Sequence, residues 1–203
     1  MTDENILTVQ ADSAETSRGW AVLGDRRWRC TLGAGGVRED KVEGDAATPA
    51  GEFPLRRVYF RNDRLVLPKV ALPARPINEH DGWCDDPRAP TYNRLVHVPN
   101  DWSHEKMWRE DGLYDLVVVV GYNDDPPEGE WGSAIFLHVA REDYAPTRGC
   151  VAFAQADLLE LLPLLTRETR LRVLAHPADE DAKPSSAEDD KMKLLEDFDE
   201  KDW

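Results

Sequence analysis

The chain has 203 residues, of which 41% are hydrophobic and 32% charged, and its formal net charge is −15. That length suits one domain with a substantial core, plus a tail. The charge argues against nucleic acid and anionic membranes as partners, because phosphate binding needs a basic surface, and no apolar run is long enough for a membrane helix.

Three cysteines at scattered positions, Cys30, Cys84 and Cys150, argue against a disulfide framework. The N-terminus, Met1-Thr2-Asp3-Glu4-Asn5, is polar and has neither a basic n-region nor an apolar h-region. Both features lead to the expectation of a cytoplasmic protein. A trimmed N-terminus would leave a periplasmic location open.

In chain order, residues 1–17 are expected to be flexible. Trp20–Leu23 and Arg26–Leu32 read as two strands around a Gly24-Asp25 turn. Alternation of Trp28, Cys30 and Leu32 gives the second strand one buried face, with Cys30 in the core. Gly33–Gly36 is a loop, but no Gly-Lys-Ser/Thr follows and no Gly-x-Gly-x-x-Gly is complete, so a phosphate cradle is not supported. Thr48-Pro49-Ala50-Gly51 is a turn by its own chemistry. Phe53–Phe60 is a strand, with Pro54 near its start where the lost donor matters least.

Residues 61–91 are rich in Pro, Asp and Arg and read as a long excursion rather than sheet. Such loops often line a site. Within it His80 and Cys84 lie four apart among carboxylates, yet there is no Cys-x-x-Cys or His-Glu-x-x-His, so no metal and no cofactor is expected. Trp83 is either the wall of a cleft or the buried anchor of a loop. Leu95–Pro99 is a short strand carrying His97, a structural histidine. Ser103–Asp111 has the form of a short helix with Ser103 as N-cap.

Leu116–Val120 is the clearest strand, β-branched and buried on both faces. It stops at Gly121–Pro127, where Tyr122 and Asn123 either contact substrate or serve turn chemistry. Ile135–Ala140 is the next central strand. Gln155–Leu165 is a helix interrupted at Pro163, and Leu171–Leu174 is a final strand. Residues 177–203 are acidic and expected to form a disordered, solubilising tail, with docking of its terminal apolar residues as the alternative.

The residues that carry chemistry sit between the last two central patches. His138 lies within the apolar run Ala134–Ala140, and Cys150 follows twelve residues later in a Gly149-Cys150 pair. A thiol needs a base, or a lowered pKa, to act as a nucleophile near neutral pH, and imidazole is its usual partner. Glycine beside the thiol permits unusual dihedrals and close backbone approach, as an oxyanion hole of backbone N–H groups requires. Spacing alone leaves the plainer reading open, a buried cysteine that only packs.

His138 followed by Thr147-Arg148-Gly149-Cys150-Val151 resembles the signature of the L,D-transpeptidase family (YkuD-type catalytic domain), a His, a loop, then Ser/Thr-His-Gly-Cys-Ile/Val-Arg. Upstream, Gly44 to Phe53 resembles the family's Thr-Pro-x-Gly-x-Phe segment. The likeness runs roughly from Arg18 to Ala175. Arg148 stands where the family usually has His, and Ala152 where it usually has Arg.

The resemblance implies a mixed β-rich α+β fold, an L,D-transpeptidase-like β-sandwich or barrel with one or two short helices packed against it, over a catalytic domain of residues 18–176. It implies Cys150 as nucleophile, His138 as base oriented by a backbone carbonyl, and the backbone N–H groups of Gly149 and Cys150 as oxyanion donors. Arg148, Thr147, Tyr122, Asn123 and Trp83 are the expected substrate contacts, with Arg148 gripping a terminal carboxylate. The implied substrates are peptidoglycan stem peptides or muropeptides, attacked at an L,D bond. Water as acceptor makes an L,D-carboxypeptidase releasing terminal D-alanine; an amine makes a crosslinking transpeptidase. The absent export signal and acidic surface favour the first. A non-catalytic module that binds murein or a protein partner is the alternative of another class. Nothing in the sequence sets the oligomeric state.

Overall fold

The computed structural model describes residues 5–175. β1 (Ile6–Ala11) pairs antiparallel with β2 (Arg18–Leu23), and β2 with β3 (Arg26–Thr31) across the Gly24-Asp25 turn. Two short strands, β4 (Val37–Arg38) and β5 (Thr48–Pro49), join the next loop to β6 (Gly51–Phe60). An excursion carries β7 (Ala74–Pro76), β8 (Asp81–Cys84), β9 (Leu95–His97) and β10 (His104–Lys106). The chain then returns through β11 (Leu116–Val120), β12 (Phe136–Val139) and β13 (Val151–Phe153) to the helix α1 (Gln155–Leu161) and to β14 (Arg170–Leu174).

The main sheet runs β11-β12-β13-β3-β2-β1-β14-β6-β7, and β6 also pairs with β11. This second pairing closes the sheet. The ten-residue β6 makes it possible: Gly51–Pro54 bond to β14, while Leu55–Phe60 bond to β11. The result is a β-rich barrel with a single α-helix among the described residues, and closure leaves few unpaired strand edges.

Period-two alternation sorts the side chains. Leu116, Val118, Leu137, Val139, Val151 and Phe153 join Leu7, Val9, Ala21, Trp28, Cys30, Leu171 and Val173 in one core, to which α1 adds Leu158 and Leu161. The intervening residues Val117, Val119, Phe136 and Cys150 face the other way and form a second cluster with Tyr59, Ile77, Trp83, Met107 and Tyr114. The cover over that outer face is a three-stranded sheet, β10-β8-β9. Pro163 ends α1 as anticipated, in a 3-10 turn over Leu162–Leu164.

Three expectations need correction. Residues 6–11 are not a flexible leader: they form β1, in which Leu7 and Val9 are fully buried while Gln10 is exposed, bonded to β2 and β14. Residues 61–91 contain sheet after all, in β7 and β8. Residues 104–106 are strand, not helix, because pairing with β8 takes up their backbone groups, and a tertiary ladder outweighs the weak local preference of so short a segment. The expected acidic tail, 177–203, lies outside the described residues.

Candidate active site

His138 and Cys150 reach one cavity because of strand order and parity. β12 and β13 are adjacent and parallel, with His138 level with Ala152. Cys150 lies two residues before Ala152, so both side chains leave the barrel on its outer face. The diagonal between such positions is about 8 Å between Cα atoms, which an imidazole and a thiol can bridge. Both line a cavity of about 330 Å³, together with Lys41, Asp85, Glu105, Arg109, Tyr114, Arg141, Thr147, Arg148 and Ala152.

The thiol is held by the backbone before β12. Its Sγ donates to the Ala134 carbonyl at 3.2 Å and accepts from the Phe136 N–H at 3.4 Å. Ala134 is in turn fixed in a left-handed conformation (φ 54°), and its N–H donates to Asn93 Oδ1 at 3.1 Å. Asn93 also accepts from Trp83 Nε1 and donates to the carbonyls of Tyr122 and Asn123. A single buried amide thus ties three loops to the seat of the sulfur.

The loop that presents Cys150 is built by Thr147. Its hydroxyl donates to the Cys150 carbonyl at 2.6 Å and accepts the Gly149 N–H at 3.1 Å. Gly149 has φ 127°, and a Cβ there would lie 2.7 Å from the Ala47 carbonyl oxygen. Only glycine fits both demands. The partner loop is equally tight. Gly33 donates to Thr48 Oγ1 at 2.8 Å, and a Cβ on it would lie 2.2 Å from the Ala46 oxygen. Asp45 fixes the same loop through a buried pair with Lys41 at 2.7 Å and through the N–H groups of Val42 and Ala47.

The imidazole has a defined tautomer. His138 Nδ1 lies 2.8 Å from the Val139 carbonyl, which can only accept, so Nδ1 carries the proton and Nε2 is the basic nitrogen. The ring packs edge-on against Tyr114, with centroids 5.4 Å apart. Burial, reinforced by the charge of Arg109, pushes the imidazole down to about 4. Burial, reinforced by the charge of Glu105, pushes the Cys150 thiol up to about 12. Both groups are therefore neutral near pH 7, the state in which an imidazole can take a proton from a thiol as attack proceeds. No hydrogen bond joins ring and sulfur.

The family profile described as YkuD, the L,D-transpeptidase catalytic domain, matches residues 6–173. The chain belongs to the L,D-transpeptidase catalytic-domain family. The crystal structure of Mycobacterium tuberculosis L,D-transpeptidase 1 aligns with 13% identity and a TM-score of 0.35, over 84% of this chain and 62% of that one. The chain thus spans less than two thirds of that protein. No curated protein matches.

Within this L,D-transpeptidase domain the residues singled out from sequence divide into two groups. Cys150, His138, Arg148 and Thr147 line the cavity. Arg148 is exposed there, and no hydrogen bond or ion pair engages its guanidinium among the described residues. The Thr147 hydroxyl is bonded within its own loop and acts as a brace. The Gly149 N–H is bonded to that hydroxyl, which removes it as an oxyanion donor in this arrangement.

Trp83, Tyr122 and Asn123 do not line the cavity. Trp83 is buried in one cluster with Cys150, edge-on to Phe136 at 5.0 Å. Tyr122 packs on Phe53 and donates to the Trp131 carbonyl at 2.5 Å. Asn123 clamps the Glu128–Gly132 turn with its whole amide. A strand-end amide or phenol serves a loop as readily as a ligand, and these serve loops.

Sequence reasoning missed Asp85, Glu105, Arg109, Tyr114 and Arg141. Only the charged content of residues 61–91 hinted at Asp85; Glu105 and Arg109 fell in the stretch read as a helix, and Tyr114 just beyond it. Arg141 lies in the loop between His138 and Cys150, and that position was its one signal.

Proposed function

We propose that this domain is a cysteine peptidase that cuts an L,D bond in peptidoglycan stem peptides and releases the terminal D-alanine. The observation that carries the reading is the shared cavity of His138 and Cys150 in a domain of this family. His138 Nε2 takes the thiol proton as Sγ attacks the carbonyl, and the Cys150 backbone N–H is the oxyanion donor. The carbonyl-to-nitrogen bond breaks as the imidazolium returns the proton to the leaving amine. Water, deprotonated by the same nitrogen, then hydrolyses the thioester and restores the thiol. Arg148, unpaired at the rim, grips the carboxylate of the leaving residue in its planar fork.

Crosslinking is the second reading. A second cleft, lined by Asp111, Gly112, Glu142, Asp143 and Tyr144, shares Leu113, Ala140 and Arg141 with the first. Two clefts meeting near one nucleophile suit a donor peptide and an acceptor amine. The domain should be incubated with a soluble stem tetrapeptide, with and without an acceptor amine, and the products weighed. Tripeptide and free D-alanine without acceptor are expected. Crosslinked dimer alone would replace hydrolysis by transpeptidation, and no product would leave a binding module.

A further inference from the structure

The Cys150 sulfur is seated by backbone in a costly conformation. Ala134 has φ 54°, and left-handed backbone is unfavourable for any residue with a Cβ. Its N–H donates to Asn93 Oδ1 at 3.1 Å, and its carbonyl accepts the Cys150 thiol at 3.2 Å. Ala134 thus links a side-chain amide to the nucleophile. Asn93 is itself fixed on every side. It is buried, and its backbone N–H donates to the Cys84 carbonyl at 2.9 Å. Oδ1 also accepts from Trp83 Nε1 at 2.9 Å, and Nδ2 donates to the Tyr122 and Asn123 carbonyls at 3.0 and 2.7 Å.

The two contacts to Sγ favour opposite charge states. The Ala134 carbonyl accepts the S–H and so favours the neutral thiol, whereas the Phe136 N–H, at 3.4 Å, favours the thiolate. They are also held differently. Phe136 lies in β12, level with Val119 of β11, and the Ile135 carbonyl accepts the Val120 N–H at 3.1 Å. Ala134 lies before the strand, and among the described residues Asn93 is the acceptor of its N–H. The thiol proton therefore lies on Ala134 rather than on His138, and it must turn to Nε2 as Sγ attacks.

We propose that Asn93 is a positioning residue for the nucleophile: through Ala134 it holds the sulfur in one place, with its proton on a carbonyl until attack begins. The kinetic half of this rests on the peptidase reading; the reactivity of the thiol toward a simple alkylating reagent does not. Without the amide, Ala134 relaxes out of its left-handed conformation and its carbonyl swings away from the sulfur, while β12 keeps the Phe136 N–H in place. The thiol then loses the partner of its neutral form and keeps that of its anion. It becomes easier to alkylate and, no longer held in one position, poorer at attacking a bound peptide. A tie that served only the fold would not move these two properties in opposite directions.

Asn93→Gly in the full chain tests this, because glycine adopts the φ of 53° at that position freely and removes only the side chain. Iodoacetamide labelling, read cysteine by cysteine by peptide mapping, is expected to speed up about fivefold at Cys150, the worth of one neutral hydrogen bond. It should stay unchanged at the buried Cys30 and Cys84, which report the fold. On the stem tetrapeptide kcat should fall about 100-fold, the cost of a displaced reacting group, with KM little changed. Glycine also takes a left-handed φ without a holder, so adding Ala134→Gly should restore part of the lost turnover and slow the labelling again. Parent-like labelling and turnover in Asn93→Gly overturn the proposal, as do equal acceleration at all three cysteines or a double variant no better than the single one. If the parent turns over no stem peptide, the peptidase reading falls, and labelling at Cys150 alone decides for or against Asn93.

Discussion

Cys30 lies on β3 and Cys150 immediately precedes the neighbouring β13, and the difference between them separates a core thiol from the proposed nucleophile. β3 and β13 pair with Cys30 level with Phe153. Burial pushes both thiols up to about 12. Yet Cys30 points into the barrel and is wholly buried, among apolar side chains, whereas Cys150 points outward into a cavity with His138, Glu105 and Arg148. Desolvation alone therefore does not mark a catalytic cysteine. The face of the sheet does, because it decides which groups can reach the sulfur.

The widest gap should appear on replacing each sulfur by oxygen. Cys150→Ser should lower turnover of the stem peptide by about four orders of magnitude or more, with little change in thermal stability. Cys30→Ser buries a hydroxyl in the barrel core and should cost about 1–3 kcal/mol in denaturant unfolding, with turnover of the folded fraction preserved. Loss of turnover in a stable Cys30→Ser protein would break the comparison.

Gly149→Ala sharpens it by moving the outward thiol alone. The added methyl meets the Ala47 carbonyl and strains a φ of 127°, so the loop must shift. A displacement of about 1 Å at a reacting group costs roughly 100-fold, to be read in kcat on the same peptide.

How much of this was legible beforehand depends on the range of the interactions. β11, β12 and α1 with its break at Pro163 follow from local apolar pattern. The pairing of His138 with Cys150 was available because motif order and strand parity are both written in sequence. β1 was missed although Leu7 and Val9 alternate with Thr8 and Gln10: its polar flanks masked the period. β10 was misread because Ser103 suited a cap, while its actual partner, β8, lies some twenty residues away. Trp83 offered no local sign of which face it would take. Glu105, Arg109 and Tyr114 join the site only through folding of the excursion over the barrel, which no short-range pattern encodes.

The smaller expected effects concern pH. An unfolded imidazole titrates near 6.5 and the folded His138 near 4. Between those values the unfolded chain binds the additional proton, so His138 makes stability fall as pH drops through that window. Activity should follow the folded group: kcat/KM should hold well below pH 6.5 and decline only as pH falls toward 4, where the base is protonated. Arg109 contributes to the depression, so Arg109→Gln should move the acidic limb upward. An acidic limb unmoved by this change would separate Arg109 from the imidazole.

The central claim is that Sγ of Cys150 receives the acyl group. Intact-protein mass spectrometry of the chain, quenched in acid shortly after mixing with the stem tetrapeptide, tests it most directly. The account predicts a tripeptidyl adduct that maps to Cys150, forms with release of D-alanine and is absent from Cys150→Ser. Turnover without any adduct, undiminished in Cys150→Ser, would contradict it.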